Sequence, residues 1–489
     1  MAASKTTKKT AKGGSPTRKA AAGPNPGAGT RQATPAARVR MYRQGLGDCF
    51  LITLPRKTGG SYYIMIDCGV ILGTPDAAFK MRAVVSDVIA TTRGHLDLLI
   101  ITHEHWDHLS GFVQARDLFQ SDKLKVDKVW LAWTEDPEDD LAKHLRTERQ
   151  ALRLALASAS ARMRLAGNPD PMIDGVMEFF GAAGQGTTGD ALKIVKGFTP
   201  TPRYCRPGDA PVDLEGVDAR LYVLGPPHDE KMIKRFNPSK SHPETYGMAA
   251  VENLNGLVSP SAETDSAAPF DPIVQIPLPA AEQVPFFQAH YWGPDSDVRN
   301  GEPGELGNTN SGVETAAPAD QSWRRIDTDW LAASSDLALQ LDSATNNTSL
   351  ALAIELGDGR VLLFAADAQV GNWLSWEDLS WTVKGQPVTG PDLLKRTYFY
   401  KTGHHGSHNA TLREQGLELM NALEVAVIPV DHDMAVKKGW GNMPLDELER
   451  RLNEITNDGV LRIDKGVPPA LAGRVEQDPS KTLYYEVAI

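Results

Sequence analysis

Ile100-Ile101-Thr102-His103-Glu104-His105-Trp106-Asp107-His108-Leu109 decides how this 489-residue chain is read. His103, His105, Asp107 and His108 can all ligate a metal, and they follow directly on the apolar run Leu96-Asp97-Leu98-Leu99-Ile100-Ile101. The β-branched end of that run predicts a buried strand, so the ligands arrive at a strand tip. His103 and His105 stand two apart and, on extended backbone, point to the same side. Asp107 and His108 open a helix predicted over Leu109–Phe119. One backbone turn can therefore serve two divalent metals. Imidazole with carboxylate suits zinc best, with manganese and iron as alternatives. A polar loop that is histidine-rich by accident competes poorly, because the whole chain has 12 His.

Thr102-His103-Glu104-His105-Trp106-Asp107-His108 resembles the H-x-H-x-D-H signature of metallo-β-lactamase-fold hydrolases. The resemblance implies an α/β (α+β) fold, a four-layer αββα sandwich with insertions, and a dinuclear metal centre at one edge. Gln44-Gly45-Leu46-Gly47-Asp48-Cys49-Phe50-Leu51-Ile52 is similar to the opening of the hydrolase domain of ComEC competence proteins and of bacterial phosphocholine esterases. Asp67, in Ile66-Asp67-Cys68-Gly69, stands where that family keeps a strand-end aspartate that orients the metal ligands from behind. Read as local structure alone, Asp67 is equally a turn residue before Gly69.

Two later stretches continue the resemblance. Asn346-Asn347-Thr348-Ser349-Leu350 and Leu362-Leu363-Phe364-Ala365-Ala366-Asp367 are similar to the family's N-x-x-S-L and L-L-x-G-D-A strands, with Ala366 in place of the usual Gly. The resemblance makes Asp367 the carboxylate that bridges both metals, since its two oxygens can be shared between cations. Lys401-Thr402-Gly403-His404-His405-Gly406-Ser407 resembles the L-K-x-x-H-H-G-S hallmark of the ComEC branch. Adjacent histidines cannot easily bind one metal. His405 is assigned as ligand and His404 as a substrate-phosphate or proton-transfer group, with the reverse as the alternative, and Lys401 is placed to neutralise substrate phosphate. One metal then takes His103, His105 and Asp367, and the other takes Asp107, His108, Asp367 and His405. Asp107 could also orient the hydroxide formed from bound water or accept its proton. Most family members supply one more histidine between the first cluster and Asp367. No G-H-T strand occurs here, and the candidates are His144, His228 or Asn346/Asn347.

Composition sets the frame. At 41% hydrophobic the chain can bury a full core. Residues 1–40 hold nine Lys/Arg and no Asp/Glu, which leaves 42 basic against 62 acidic residues, a net of −20, over 41–489. Residues 1–38 lack large apolar side chains and are expected to form a disordered basic tail, able to contact nucleic acid. The hydrolase domain is expected over 39–489. It carries a helical insertion at about 134–200 and a flexible one at about 229–344, with helix over Asp327–Leu341. A strand at Leu483–Val487 is expected at a sheet edge.

Cys49, Cys68 and Cys205 are odd in number and widely spaced, which suits a reducing, cytoplasmic setting. No run approaches a membrane span. The expected function is a metal-dependent hydrolase using metal-bound hydroxide on a small-molecule or nucleic-acid phosphodiester. A lactam or thioester hydrolase of the same fold and a non-catalytic binding module are the alternatives. Intact Asp107, His108, Asp367 and His405 argue against the module.

Overall fold

Alternation along each strand explains the layers. In Arg38–Tyr42, Val39 and Met41 point into one core while Tyr42 joins another, and Phe50–Pro55 repeats the pattern with Phe50, Ile52 and Leu54 against Leu51. Across the molecule, Leu352–Leu356 sends Leu352 and Ile354 to the same central core and Ala353 to a third. Period-two side chains that are apolar on both faces require cover on both faces, and the chain supplies two sheets and two helical layers. The result is an αββα sandwich. The computed structural model describes residues 35–165, 169–182, 186–239, 243–245, 283–284, 333–440 and 443–489.

The first sheet runs in the order Arg203–Cys205, Val129–Ala132, Leu98–Ile100, Ser61–Ile66, Phe50–Pro55, Arg38–Tyr42, Tyr484–Ala488, Val475–Gln477. The second runs Val212–Asp213, Ala219–Val223, Leu352–Leu356, Val361–Phe364, Thr397–Lys401, Val425–Ile428, Val460–Arg462. Phe50, Phe364 and Phe399 meet between the sheets, with ring centroids 5.6 and 5.7 Å apart. Outside the first sheet lie the helices Ala77–Thr92, Trp106–Gln114 and Thr188–Lys196. Outside the second lie Gly390–Lys395, Asp446–Thr456 and the two helices Asp140–Leu165 and Ala333–Asn346.

Each sheet has a parallel half, and loops at the carboxyl ends of parallel strands gather beside one another. Ser61–Ile66 pairs in parallel with Leu98–Ile100, and Val361–Phe364 with Thr397–Lys401. Asp67, Thr102, Asp367 and His404 all lie within three residues of these strand ends. Leu350 N donates to Thr102 O at 2.9 Å, which ties the two sheet tips together. Gly69 lets the chain pass the metal-motif loop, since a Cβ there would lie 2.3 Å from Asp107 O.

Several expectations are adjusted. The last residues of the stretch assigned to the tail are paired into the sheet, since Ala36 N donates to Ile489 O and Arg38 pairs with both Thr53 and Ala488. The strand Tyr484–Ala488 is internal, since Val475–Gln477 adds beyond it as the edge. The predicted helix over Leu109–Phe119 begins three residues earlier, at Trp106, and breaks at Ala115 into Trp106–Gln114 and Arg116–Phe119. The insertion after Trp133 is helical, as Asp140–Leu165, Pro171–Glu178 and Thr188–Lys196. Most of the second insertion, like residues 1–34, lies outside the described residues. Its far end is the helix Ala333–Asn346. No helix among the described residues is long and apolar enough to cross a membrane.

Candidate metal centre

The loop after Leu98–Ile100 is held before it ligates anything. Asp67, at the end of Ser61–Ile66, accepts from Thr102 N at 2.8 Å and from Thr102 Oγ1 at 2.7 Å. Its Oδ2 also lies 2.8 Å from His108 Nδ1, so the His108 proton sits on Nδ1 and Nε2 faces the other way, 3.0 Å from Asp367 Oδ2. His405 is set in the same manner, with Nδ1 donating to Pro429 O at 2.9 Å and Nε2 3.1 Å from Asp107 Oδ2. Asp107, His108, Asp367 and His405 thus place one ligand atom each within 4.8 Å of one another, all buried. Two imidazoles and two carboxylates are a donor set that fits zinc, manganese or iron.

His103 and His105 stand beside this group. His103 Nε2 is 3.1 Å from His105 Nδ1 and 3.8 Å from Asp367 Oδ2, while Thr102 Oγ1 lies 3.1 Å from His103 Nδ1. Phe179 and Phe180, at the end of Pro171–Glu178, pack on His105 with ring centroids 4.9 and 5.3 Å away. Trp106 N donates to Phe179 O at 2.7 Å, so the helical insertion is fastened to the motif loop.

Electrostatics divide the centre. Burial, with His108 and His105 nearby, holds His103 well below the usual imidazole range, and burial lowers His105 to about 3 and His404 to about 4. Burial also disfavours charge on His108 and His405, but carboxylates outweigh it. Asp367, Asp107, Asp67 and Asp48 raise His108 well above its ordinary value, and Asp367, Asp107 and Asp48 raise His405. Burial, then Asp107 and Asp367, pushes the Asp342 carboxyl well up. So many carboxylates in one dry pocket call for cations.

Lys401 is one such cation, and the structure places it differently from the expectation. Its Nζ is 2.6 Å from Asp48 Oδ2, 3.2 Å from Asp367 Oδ1 and 3.0 Å from Ala366 O, and the side chain is 1% exposed. It has no donor left for substrate. The same contact narrows the role of Asp367, because Oδ1 is occupied and Oδ2 alone faces His103, His108 and His405. Asp367 would therefore present Oδ2 to a metal held there.

Of the candidates for the missing ligand, His144 pairs with Glu148 and Glu230 with its side chain 52% exposed, and His228 lies against Trp133 and bonds Asp139. The structure does not bring either to the cluster. Asn346 is buried beside it, with Nδ2 3.2 Å from Asp342 Oδ2 and 3.5 Å from His404 Nε2. Asn347 turns away to bond Met232 O, Ile233 O and Arg235 O. Backbone strain collects in the same place. Asp67, Ala366, His404 and His405 all adopt positive φ, between 40° and 54°.

Residues 42–208 match the family model of the Metallo-beta-lactamase superfamily. No curated protein matches the chain. The superfamily match takes in the motif loop, Asp67 and the helical insertion but stops before Asp367, His404 and His405. The superfamily suggests a metal-dependent hydrolase, and the buried His/Asp cluster is able to hold divalent metal.

Sequence reasoning missed Asp48 as the partner of Lys401, and it missed Asp342. Asp48 lies in the Gln44–Ile52 stretch quoted for its resemblance, where no partner is assigned to it. Asp342 fell in a stretch read as insertion, although its i,i+4 spacing to Asn346 on a helix was a usable signal.

Proposed function

We propose that this chain hydrolyses phosphodiester bonds, in a nucleotide, a nucleic acid or a small phosphodiester, with two divalent metals, zinc by preference. The observation that carries the reading is the buried set Asp107, His108, Asp367 and His405, with His103 and His105 adjoining it. Metal held there supplies a water of lowered pKa and polarises the scissile bond. The chain's own groups do the rest. Burial works against ionisation of Asp107, but His108 and His405 overcome it and keep the group ionised, and its Oδ1 has no hydrogen-bond partner among the described residues. That oxygen can accept the proton of the attacking water.

His404 is the most open imidazole of the centre, at 8% exposure, and its Nδ1 is likewise unpartnered among the described residues. Neutral near pH 7, it can carry a proton to or from a substrate oxygen. An anionic substrate is favoured by Arg153, whose guanidinium stacks 4.4 Å from the centre of the Phe180 ring, next to His105. Arg153 also pairs with Glu104 at 3.5 Å, and with Lys401 committed to Asp48 and Asp367 a substrate phosphate would share Arg153 with that carboxylate.

The test is metal content by elemental analysis of the purified chain, with hydrolysis of bis-p-nitrophenyl phosphate and of a lactam and a thioester in parallel. Near two metals per chain, with phosphodiester cleavage lost in Asp107→Ala and His405→Ala, is expected. Bound metal with only lactam or thioester cleavage would transfer the assignment to acyl substrates. A chain that retains no metal after reconstitution would end the enzymatic reading.

A further inference from the structure

Each imidazole that faces the candidate metal positions has an inner nitrogen and an outer one. The outer nitrogen needs a partner, because that hydrogen bond fixes the tautomer and the ring orientation. His108 has Asp67 at 2.8 Å, His405 has the Pro429 carbonyl at 2.9 Å, and His103 has Thr102 Oγ1 at 3.1 Å. His105 is the exception. Its Nδ1 faces His103 Nε2, and its Nε2 is buried with no hydrogen-bond partner among the described residues.

A second unpaired atom lies opposite. Asp342 Oδ1 is also buried without a partner among the described residues, and it stands 3.9 Å from His105 Nε2. The other Asp342 oxygen is anchored, accepting from Asn346 Nδ2 at 3.2 Å one turn along the helix Ala333–Asn346. Two buried polar atoms left facing each other are costly, and they become a hydrogen bond if they close by about 1 Å.

Distances decide between two roles for this carboxylate. Zinc-bound nitrogens lie about 2.0–2.1 Å from the ion, so His103 Nε2 and His105 Nδ1, 3.1 Å apart, would subtend about 100° at a shared metal. A metal between His105 Nε2 and Asp342 Oδ1, 3.9 Å apart, would be held at about 145°, far from tetrahedral. The metal therefore belongs on the Nδ1 side, and Asp342 belongs behind the ring.

We propose that Asp342 is the positioning carboxylate for His105, accepting a hydrogen bond from Nε2–H so that Nδ1 is presented to the metal shared with His103. This rests on the reading of the centre as a metal site. A carboxyl partner behind the ring fixes the His105 tautomer and strengthens its imidazole as a donor, which would help the His103–His105 position work without an extra histidine. Asp342 then does for His105 what Asp67 does for His108.

The full chain, Asp342→Asn and Asp342→Ala would be titrated with zinc against a chromophoric chelator. Imidazole tautomers in the zinc-loaded, nitrogen-15-labelled proteins would be read by long-range proton–nitrogen correlation. Asp342→Ala is expected to weaken one of the two zinc sites by about 10–100-fold and leave the other unchanged. Asp342→Asn, which keeps an acceptor, is expected to lose less, and the His105 resonances in the unsubstituted chain should report Nδ1 bound and Nε2 protonated. Unchanged affinity at both sites in Asp342→Ala, or zinc on His105 Nε2, overturns the assignment of Asp342 while leaving the metal site standing. An unsubstituted chain that binds no zinc overturns both. Should Asp342→Ala fail to fold, the tautomer and the Asp342→Asn affinity still decide.

Discussion

The two halves of the centre share one loop yet are prepared in opposite ways. Around Asp107, His108, Asp367 and His405, donor atoms converge within 4.8 Å and the outer ring nitrogens of both histidines are bonded. Around His103 and His105, the imidazoles face each other at 3.1 Å, and His105 keeps an unpaired nitrogen. The first half draws on both sheets. Asp67 and His108 follow strands of one, while Asp367, His405 and Pro429 follow strands of the other. The second half leans on a helix and on the insertion that carries Phe179 and Phe180.

Removing Lys401 should produce the largest effect on the closed half. Lys401→Met leaves Asp48 and Asp367 buried without their cation, and loss of one partner from a buried ion pair costs about 3–5 kcal/mol. Urea unfolding of the metal-free protein should show that loss. Zinc loading should recover part of it, because metal at Asp367 Oδ2 neutralises one of the two stranded carboxylates. A loss below about 1 kcal/mol in the metal-free protein would mean that Lys401 is not what balances this half.

Protons should tell the halves apart next. Nearby carboxylates raise His108 and His405 above their ordinary values, so without metal both bind protons more readily than a free imidazole, and zinc would have to displace them. His103 is held low and His105 is at about 3, so neither has a proton to lose above about pH 5. Zinc uptake at the Asp107–His405 position should therefore release protons and weaken as pH falls, by up to about tenfold per pH unit for each proton displaced. Uptake at the His103–His105 position should be nearly flat over pH 6–8. Calorimetric titration in buffers of different ionisation enthalpy counts the protons, and equal release at both positions would erase the distinction.

How much of this was legible in the sequence follows the same division. The strand before His103, the ligand loop, and the turn into Asp367 were readable because strand periodicity and closely spaced ligand types are local signals. The layer order was implied by the resemblance alone, and the structure shows its physical cause in strands that are apolar on both faces. What sequence could not show was which polar groups meet across the fold. Lys401 was read as a substrate group because it stands four residues from His405, yet Asp48 reaches it from more than 350 residues away. His228 follows the strand Ala219–Val223 by five residues, and Asp139 claims it. Asp342 contributes only through a helix whose approach to His105 depends on packing between layers.

The smallest effect tests the backbone of the closed half. Ala366 precedes Asp367 with φ 50°, a left-handed conformation that glycine adopts freely and alanine at a cost of about 1–2 kcal/mol. Its carbonyl holds Lys401 Nζ at 3.0 Å and accepts from His404 N at 3.0 Å, so the turn positions both neighbours of Asp367. Ala366→Gly should keep both bonds and relieve the strain. Part of that gain is offset by the larger entropy of glycine in the unfolded chain, which leaves a net stabilisation of under about 1 kcal/mol. Zinc affinity should not change, because no ligand moves. If zinc affinity instead falls in Ala366→Gly while stability rises, the strained turn is what presses Asp367 Oδ2 toward the three histidines. The closed half would then owe its geometry to local strain as well as to the two sheets.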